Sequence, residues 1–129
     1  MDELVEWLRA QLDEDERIAR AVPADLGRSW SDPGPWVMAG SGGGGREAEV
    51  AKAADGLEMP LAEHITHHIA EHDPARVLRE IDAKRRTLIR CEEAMLSASP
   101  MLVHFAKQTA WEMALPYADR PGYREEWRP

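Results

Sequence analysis

Apolar side chains recur at steps of three and four residues along the first twenty positions of the chain. This spacing places them on one stripe of a helix, which is the pattern of an amphipathic helix packed on a core. The stripe consists of Leu4, Val5, Leu8, Leu12 and Ala19. Asp2 is a preferred helix N-cap residue and Pro23 interrupts the pattern, so we predict a helix over residues 2–22.

Prolines and glycines are frequent in residues 23–60, which separate the first helix from the rest of the chain. Two short stretches, residues 36–38 and 48–53, lie on either side of one serine and four glycines at positions 41–45. This arrangement predicts a β-hairpin with a long turn, while the alanine-rich second stretch leaves a loop or a short helix open. The glycine run lacks the Lys-Ser/Thr pair of a phosphate-binding loop, so we interpret it as a flexible connection.

Helical periodicity returns after residue 60, and two proline steps divide it into three segments. Asp73-Pro74 and Ser99-Pro100 each combine an N-cap residue with the proline that is favoured at the first helical position. The predicted helices cover residues 61–72, 74–98 and 101–115. The long helix has an apolar seam that consists of Val77, Leu78, Ile81, Leu88, Cys91 and Met95. An aromatic, charged tail follows over residues 116–129.

These elements predict a mainly α fold, a small bundle of about four helices with a β-hairpin insert. No internal repeat or second apolar core is evident, so we expect residues 1–129 to form a single domain. The helix over 74–98 spans about 37 Å at 1.5 Å per residue. Such a long helix in so short a chain leaves part of its seam without an intramolecular partner, and we therefore expect a homodimer.

Composition narrows the function classes. The chain has 16 basic and 24 acidic side chains and a formal charge of −8, which excludes a uniformly basic nucleic-acid binder. A single cysteine excludes a disulfide framework within the chain and a zinc site made of cysteines alone. No apolar run approaches the roughly 20 residues that cross a bilayer, and the acidic first residues are unlike a signal peptide. We therefore expect a cytoplasmic protein with no membrane partner.

Four of the five histidines lie within nine residues. His64, His68 and His72 are spaced four residues apart, so a helix places them on one stripe. Two histidines one turn apart can share a zinc ion, and Glu71 lies beside them as a further ligand or base. The string from His68 to His72 also fits the H-x-x-E-H pattern of inverted zinc peptidases. The alternative interpretation is structural, because an imidazole near a helix C-terminus suits the dipole without a metal.

The helix over 74–98 carries a basic stripe on an otherwise acidic protein. The stripe consists of Arg76, Arg79, Arg85, Arg86 and Arg90. Such a stripe can bind the phosphates of a nucleotide or a nucleic acid. The alternative is pairing within the chain, with the acidic run at residues 13–16 as the partner. We favour this alternative and expect no nucleic-acid partner, because the net charge repels polyanions.

Aromatic side chains are concentrated in the tail, where Tyr117, Tyr123 and Trp127 alternate with charged residues. This content is untypical of a disordered end. One interpretation is that the tail folds back on the helices. The other is that it anchors a protein partner, since tryptophan, tyrosine and arginine dominate interface hot spots.

Two strings of the sequence resemble a known family. They are HIAEHDPARVLRE, residues 68–80, and ALPYADRPGYREEW, residues 114–127. Together with residues 4–16, they resemble short uncharacterised proteins of actinobacteria and their phages, which are classed as a domain of unknown function. The order of elements is also similar to that of accessory proteins of temperate phages. Some family members carry additional cysteines and histidines between the long helix and the tail, and these look like a zinc cluster. In this chain Cys91 is the only cysteine, and residues 92–113 are predicted to be helical.

The resemblance implies no established activity. The sequence as a whole predicts a non-enzymatic accessory or protein-interaction protein, which acts through helical and aromatic-tail surfaces on a protein partner. Two alternatives stay open. One is a metal-binding protein that uses His64, His68, Glu71 and His72, with zinc as the ion. The other is a nucleotide or nucleic-acid binder that uses the arginines of the long helix.

Overall fold

The computed structural model describes residues 1–24, 27–40, 48–53 and 56–129. Within these residues, the α-helices are α1 (Asp2–Arg20), α2 (Met59–Glu71), α3 (Pro74–Met95) and α4 (Pro100–Ala114). The strands in the same ranges are β1 (Trp30–Ser31), β2 (Trp36–Ala39) and β3 (Ala48–Lys52), which form one sheet in the order β1-β2-β3. Two 3-10 turns, Leu115–Tyr117 and Glu125–Trp127, lie in the tail. The predicted fold class, mainly α with a minor β component, is confirmed.

The predicted helices are confirmed, and their ends differ from the predicted ends by at most three residues. The largest difference is at the end of α3, which stops at Met95 instead of residue 98. There the amides of Leu96 and Ser97 donate to carbonyls only three residues back, the tight bonding that closes a helix. No helix in the described ranges combines the length and the apolar character that crossing a membrane requires.

The predicted β-hairpin is confirmed as the antiparallel pair β2–β3. Trp36 lies opposite Lys52 and Ala39 lies opposite Ala48, with an irregularity in the register between Val37 and Met38. The second arm is therefore a strand, and the helix and loop alternatives for it are wrong. The glycine run at positions 41–45, which we interpreted as a flexible connection, lies outside the described residues.

Strand β1 was not predicted from the sequence. It pairs with β2 in antiparallel register, with Trp30 opposite Ala39 and Ser31 opposite Met38. Two residues are too few to show the alternation of apolar and polar positions by which a strand is recognised. The strand exists because its partner β2 is already held in the sheet.

The chain divides into two compact units. Unit 1 contains residues 1–15 and 80–129, and unit 2 contains residues 16–79. Helices α1 and α3 contribute residues to both. The expectation of a single domain over residues 1–129 stays a prediction.

Unit 1 has a core to which α1, α3, α4 and the tail each contribute. Its buried apolar residues are Leu4, Val5, Leu8, Leu12, Ile81, Leu88, Cys91, Ala106, Ala110, Ala114, Tyr117 and Trp127. The stripe predicted for α1 and the centre of the seam predicted for α3 are therefore buried as expected. Helix α4 buries only alanines, spaced four residues apart, so its larger side chains lie elsewhere on the helix.

The tail folds back within unit 1 and packs on Trp7, which confirms the first of the two interpretations of its aromatic content. The centroid of the Trp7 ring lies 6.4 Å from that of Tyr117, 5.8 Å from that of Tyr123 and 5.3 Å from that of Trp127. The indole Nε1 of Trp7 also donates a hydrogen bond to the Pro121 carbonyl at 3.1 Å. One side chain of α1 thus contacts all three aromatic residues of the tail.

Unit 2 holds its sheet to its helices by polar contacts as well as by apolar burial. Thr66, fully buried on α2, donates its hydroxyl to the Gly34 carbonyl at 2.7 Å. The carboxylate of Asp73, which precedes α3, accepts the Trp30 amide at 3.1 Å and the Arg76 amide at 2.7 Å. The second of these bonds is the predicted N-cap of α3. Asp73 therefore caps a helix and anchors β1 at the same time.

We expect the substitution Thr66→Val to lower the free energy of unfolding by about 1–2 kcal/mol, because it leaves the part-buried Gly34 carbonyl without the Thr66 hydroxyl as donor. Thermal or chemical denaturation measures the loss. Thr66→Ser keeps the hydroxyl and is the matched control, with a smaller loss. Equal stability of the Val and wild-type proteins would show that the hydrogen bond contributes nothing.

Candidate functional site

The histidines that we predicted as metal ligands lie on the outward side of α2. The buried side of this helix consists of Ala62, Thr66 and Ala70. His64, His68 and His72 are exposed, and so is Glu71. The predicted single stripe is therefore present, and it faces away from the core of unit 2.

His68 and His72 form the closest pair in this cluster. Their ring centroids are 4.4 Å apart, and Nδ1 of His72 lies 2.7 Å from the His68 carbonyl oxygen. When Nδ1–H donates to this carbonyl, the imidazole is in the tautomer whose Nε2 has a free lone pair, and that lone pair can coordinate a metal ion. Glu71 does not join the pair, because its carboxylate lies 3.8 Å from the Arg76 guanidinium.

The structure does not gather the four predicted ligands around one point. Across the described residues, no group of three or more His, Cys, Asp or Glu side chains is arranged to hold a metal ion. A structural zinc site requires four such ligands and a catalytic site requires three. The cluster thus offers a pair of imidazoles, and metal binding at His64, His68, Glu71 and His72 stays a prediction.

A second histidine contact escaped the sequence analysis. His67 Nδ1 lies 3.1 Å from Oδ2 of Asp32, which precedes β2. Both residues line an open cleft of about 340 Å³, together with Gly34, Pro60, Glu63 and His64. No spacing rule connects residues 32 and 67, because the contact depends on the packing of the sheet against α2. The contact ties the segment before β2 to the outward side of the helix.

The basic stripe of α3 is largely engaged within the chain. Arg85 pairs with Asp13 at 2.6 Å, and Arg86 pairs with Asp82 at 2.9 Å. Arg76 donates to the carbonyl oxygen of Glu71 at the end of α2, at 3.0 Å. In the part of the chain that the structure describes, Arg79 and Arg90 are the members without an ion pair.

The interpretation that these arginines pair inside the chain is thus confirmed for Arg85 and the acidic run. Two other members of that run bind elsewhere. Glu16 pairs with Arg20 one helical turn away. Asp15 accepts hydrogen bonds from the Tyr117 hydroxyl at 2.8 Å and from the Arg120 guanidinium. The acidic run therefore fastens the tail and α3 to α1, instead of facing solvent as a whole.

Burial changes the titration of two groups in unit 1. It raises the pKa of the Cys91 thiol, with a further contribution from the nearby Glu92 carboxylate. It also raises the pKa of Tyr117 above its ordinary value, and the hydrogen bond to Asp15 acts in the same direction. Both shifts favour the protonated form. A protonated thiol is a poor nucleophile and a protonated phenol is a poor base, so both groups suit a structural role.

The two tyrosines of the chain provide a matched test of this network. Tyr117→Phe removes a hydroxyl that donates to Asp15 and accepts from Lys84, so we expect a loss of about 1–2 kcal/mol. The Tyr123 hydroxyl is buried and has no hydrogen-bond partner among the described residues. Tyr123→Phe should therefore be neutral or slightly stabilising. Urea denaturation of both variants checks the difference, and a similar loss in each would contradict it.

The raised pKa of Tyr117 predicts the sign of a pH dependence. The protonated phenol stabilises the fold, and this contribution is fully present below pH of about 10, the ordinary tyrosine pKa. It is lost as the pH rises through the higher value of the folded state. We expect stability to decline as the pH rises above about 10, and the decline should be weaker in Tyr117→Phe, as measured by urea denaturation over this pH range.

Four of the five most exposed large apolar side chains of unit 1 lie at or just after the turn between α3 and α4, and the fifth is Ile89. The exposed fractions are 89% for Leu96, 68% for Met101, 51% for Leu102 and 61% for Phe105. We call these four residues the α3–α4 tip. Sequence patterning did not single them out, because α4 is apolar around most of its circumference. A signal was present, since the alanines at steps of four marked the buried side and left the larger residues for the other.

The tail aromatics, in contrast, are occupied. Tyr117 and Trp127 are buried, and Tyr123 is half-buried. Their rings pack on Trp7 within unit 1, so they are not accessible to a partner while the tail is folded. The four apolar side chains of the α3–α4 tip, by comparison, are all more than half exposed.

Comparison with known proteins identifies the relationship of the chain but no activity. Neither the curated proteins nor the solved structures contain a match to it. The sequence model of one family, the family of unknown function DUF6221, matches residues 1–129. Since this match covers the whole length of the sequence, the chain belongs to the family of unknown function DUF6221.

Proposed function

We propose that this chain is a non-enzymatic protein-interaction protein and that its docking surface is the α3–α4 tip. The observation that carries the proposal is that four large apolar side chains are exposed within a ten-residue segment that includes the turn between α3 and α4. Single exposed apolar residues are normal on protein surfaces, whereas clusters of them mark interaction sites. Within the helical surfaces that the sequence predicts for interaction, we thus propose the four residues of the α3–α4 tip.

The state of the potentially reactive groups supports the non-enzymatic part of this proposal. The thiol of Cys91 and the phenol of Tyr117 are buried and their pKa values are raised. A nucleophilic cysteine is instead activated by a lowered pKa, which favours its thiolate. We further propose the cytoplasm as the compartment. The lone cysteine is a buried free thiol, and a free thiol is the form that a reducing compartment maintains.

Site-specific photo-crosslinking tests the docking surface. A photoreactive amino acid replaces Met101 in the full chain, and a second version carries it at Ile18, which is exposed to a similar extent on α1 in unit 2. We expect a discrete crosslinked product in the native host from position 101 and none from position 18. Phe105→Ser in the same chain should reduce the yield. No product from position 101, or equal products from both positions, would overturn the proposal.

As a second candidate function, we propose a divalent-metal site on the outward side of α2, built on His68 and His72. His64 lies one helical turn before His68, and Glu71 is the residue before His72. What favours it is the hydrogen bond between His72 Nδ1 and the His68 carbonyl, which leaves Nε2 as a donor atom. Two imidazoles occupy two of the four positions around Zn²⁺ and leave the others for water or a further ligand.

Calorimetric titration of the untagged chain with Zn²⁺ tests this candidate. We expect His68→Ala and His72→Ala each to weaken binding by about tenfold or more, since loss of even an outer-shell partner has an effect of this size. His104→Ala, an exposed histidine of α4 in unit 1, is the control and should leave binding unchanged. Equal binding by all four proteins would eliminate the candidate.

A further inference from the structure

An acidic groove borders the α3–α4 tip on one side. It has a volume of about 380 Å³, lies between α1 and α3 in unit 1, and ends at Leu96. Its charged lining residues are Asp2, Glu6, Arg9 and Glu92. Arg9 is taken up by Glu92 through two contacts of 2.6 and 2.7 Å. Asp2 and Glu6 have no ion-pair partner in the described ranges, so the groove keeps a net negative charge.

A second groove, whose charged side chain is a lysine, begins next to the tip. It has a volume of about 350 Å³ and begins at Ser97, the residue that follows Leu96. Its titratable lining residues are His104 and Lys107 of α4. Lys107 is exposed and forms no ion pair with the residues that the structure describes. The two grooves therefore meet at the turn from which the apolar side chains of the tip project.

We infer that the α3–α4 tip binds a second copy of this chain, arranged so that Lys107 of each copy faces Asp2 and Glu6 of the other. This inference rests on the proposed function and names its partner. A twofold contact brings the same patch of both copies together, so it requires a surface that is complementary to itself. The tip meets this requirement, because its apolar side chains adjoin one groove with a free lysine and another with free carboxylates.

The overall negative charge of the chain opposes contact between two copies. Two copies that each carry a net charge of −8 repel one another. A self-contact therefore needs opposite charges where the copies meet. The surface next to the tip supplies them, with Lys107 in one groove and Asp2 and Glu6 in the other. Opposed charges at the edge of an apolar contact set its register and suppress other orientations.

Sedimentation equilibrium of the full chain over a range of concentrations tests the inference. We expect a monomer–dimer equilibrium that Phe105→Ser weakens by about 30-fold or more, the effect of losing an interface hot spot. Ile18→Ser is the matched control, because Ile18 is an exposed apolar residue of unit 2. It should leave the dissociation constant unchanged.

A charge exchange tests the register. We expect Lys107→Glu alone and Glu6→Lys alone each to weaken the dimer by about tenfold, because each places like charges opposite one another twice per dimer. The double variant should recover most of the wild-type affinity. The control is Arg79→Glu, which changes the net charge as Lys107→Glu does but at an exposed residue of unit 2. It should have little effect on the dissociation constant.

The outcomes separate this inference from the proposed function. A dimer without recovery in the double variant, or a chain that is monomeric at every concentration, overturns the second copy as partner. In the monomeric case, the crosslink from position 101 decides the rest. A product of other than twice the chain mass keeps the docking surface and assigns it to a different protein, whereas no product removes both proposals. Recovery by charge exchange together with a product of twice the chain mass supports both.

Discussion

Replacing Trp7 with alanine is expected to lower the free energy of unfolding by about 3 kcal/mol and to release the C-terminal tail. The Trp7 ring contacts Tyr117, Tyr123 and Trp127 in tilted or edge-on geometry. Each aromatic pair of this kind contributes about 0.5–1.5 kcal/mol beyond its burial of apolar area. The single substitution thus removes the three ring contacts that hold the tail, and chemical denaturation measures the loss.

Hydrogen exchange reports on the tail itself. The amides of Arg120, Tyr123 and Trp127 donate to carbonyls three residues back, and their protection should fall in Trp7→Ala. Trp7→Phe keeps a ring in place and removes only the donor to the Pro121 carbonyl, so we expect a loss of about 1 kcal/mol. If Trp7→Ala leaves these amides protected, the tail is held by something other than Trp7.

The substitution Asp73→Ala is expected to have a comparable effect in unit 2, a loss of about 2–3 kcal/mol. It removes the N-cap of α3, which contributes about 1 kcal/mol. It also leaves the part-buried Trp30 amide without its acceptor, which costs about 1 kcal/mol or more, the lower part of the range for an unsatisfied donor. The carboxylate makes both contacts, so one change loosens a helix start and a strand together. Thermal denaturation measures the loss.

Two further variants make this result specific. Asp73→Asn keeps one acceptor oxygen and should lose about half as much. Asp82→Ala removes an exposed aspartate of α3 whose pair with Arg86 is also exposed, and surface pairs of this kind contribute at most about 1 kcal/mol. Faster hydrogen exchange of the Trp30 amide in Asp73→Ala is the direct readout. Unchanged exchange there would mean that Asp73 acts on α3 alone.

The helices and the hairpin could be predicted because their signals are local. The stripe of α1 repeats with the period of a helix, and Asp73-Pro74 combines a cap with a first-turn proline. Strand β1 could not be predicted, since its two residues are held only by pairing with β2. The same limit applies to the contact between Asp32 and His67, which are separated by 35 residues.

The candidate site could be predicted only in part. The spacing of the histidines correctly placed them on one side of α2. It did not reveal that His68 and His72 form a close pair while Glu71 turns to Arg76. The α3–α4 tip escaped notice because periodicity alone does not tell which side of an apolar helix is covered. Coverage depends on neighbours that are distant in sequence.

Gly122 illustrates the same division at a single residue. A Pro-Gly pair such as Pro121-Gly122 is typical of turns, although we did not predict one there. Only the structure shows why glycine is needed there, since its φ is +86° and a Cβ atom would lie 2.9 Å from Nε1 of Trp7. The turn signal is local, and the close approach is tertiary.

By itself, the sequence determined the helical class of this protein, the order and approximate ends of its helices, the hairpin, and the residues of α1 and α3 that are buried. These features follow from interactions between residues a few positions apart, which periodicity and capping residues record. The tertiary structure decided which charges pair, that the tail aromatics are buried on Trp7, and that the large side chains of α4 remain exposed. Each of these depends on surfaces brought together from distant parts of the chain, and no local pattern encodes such an encounter.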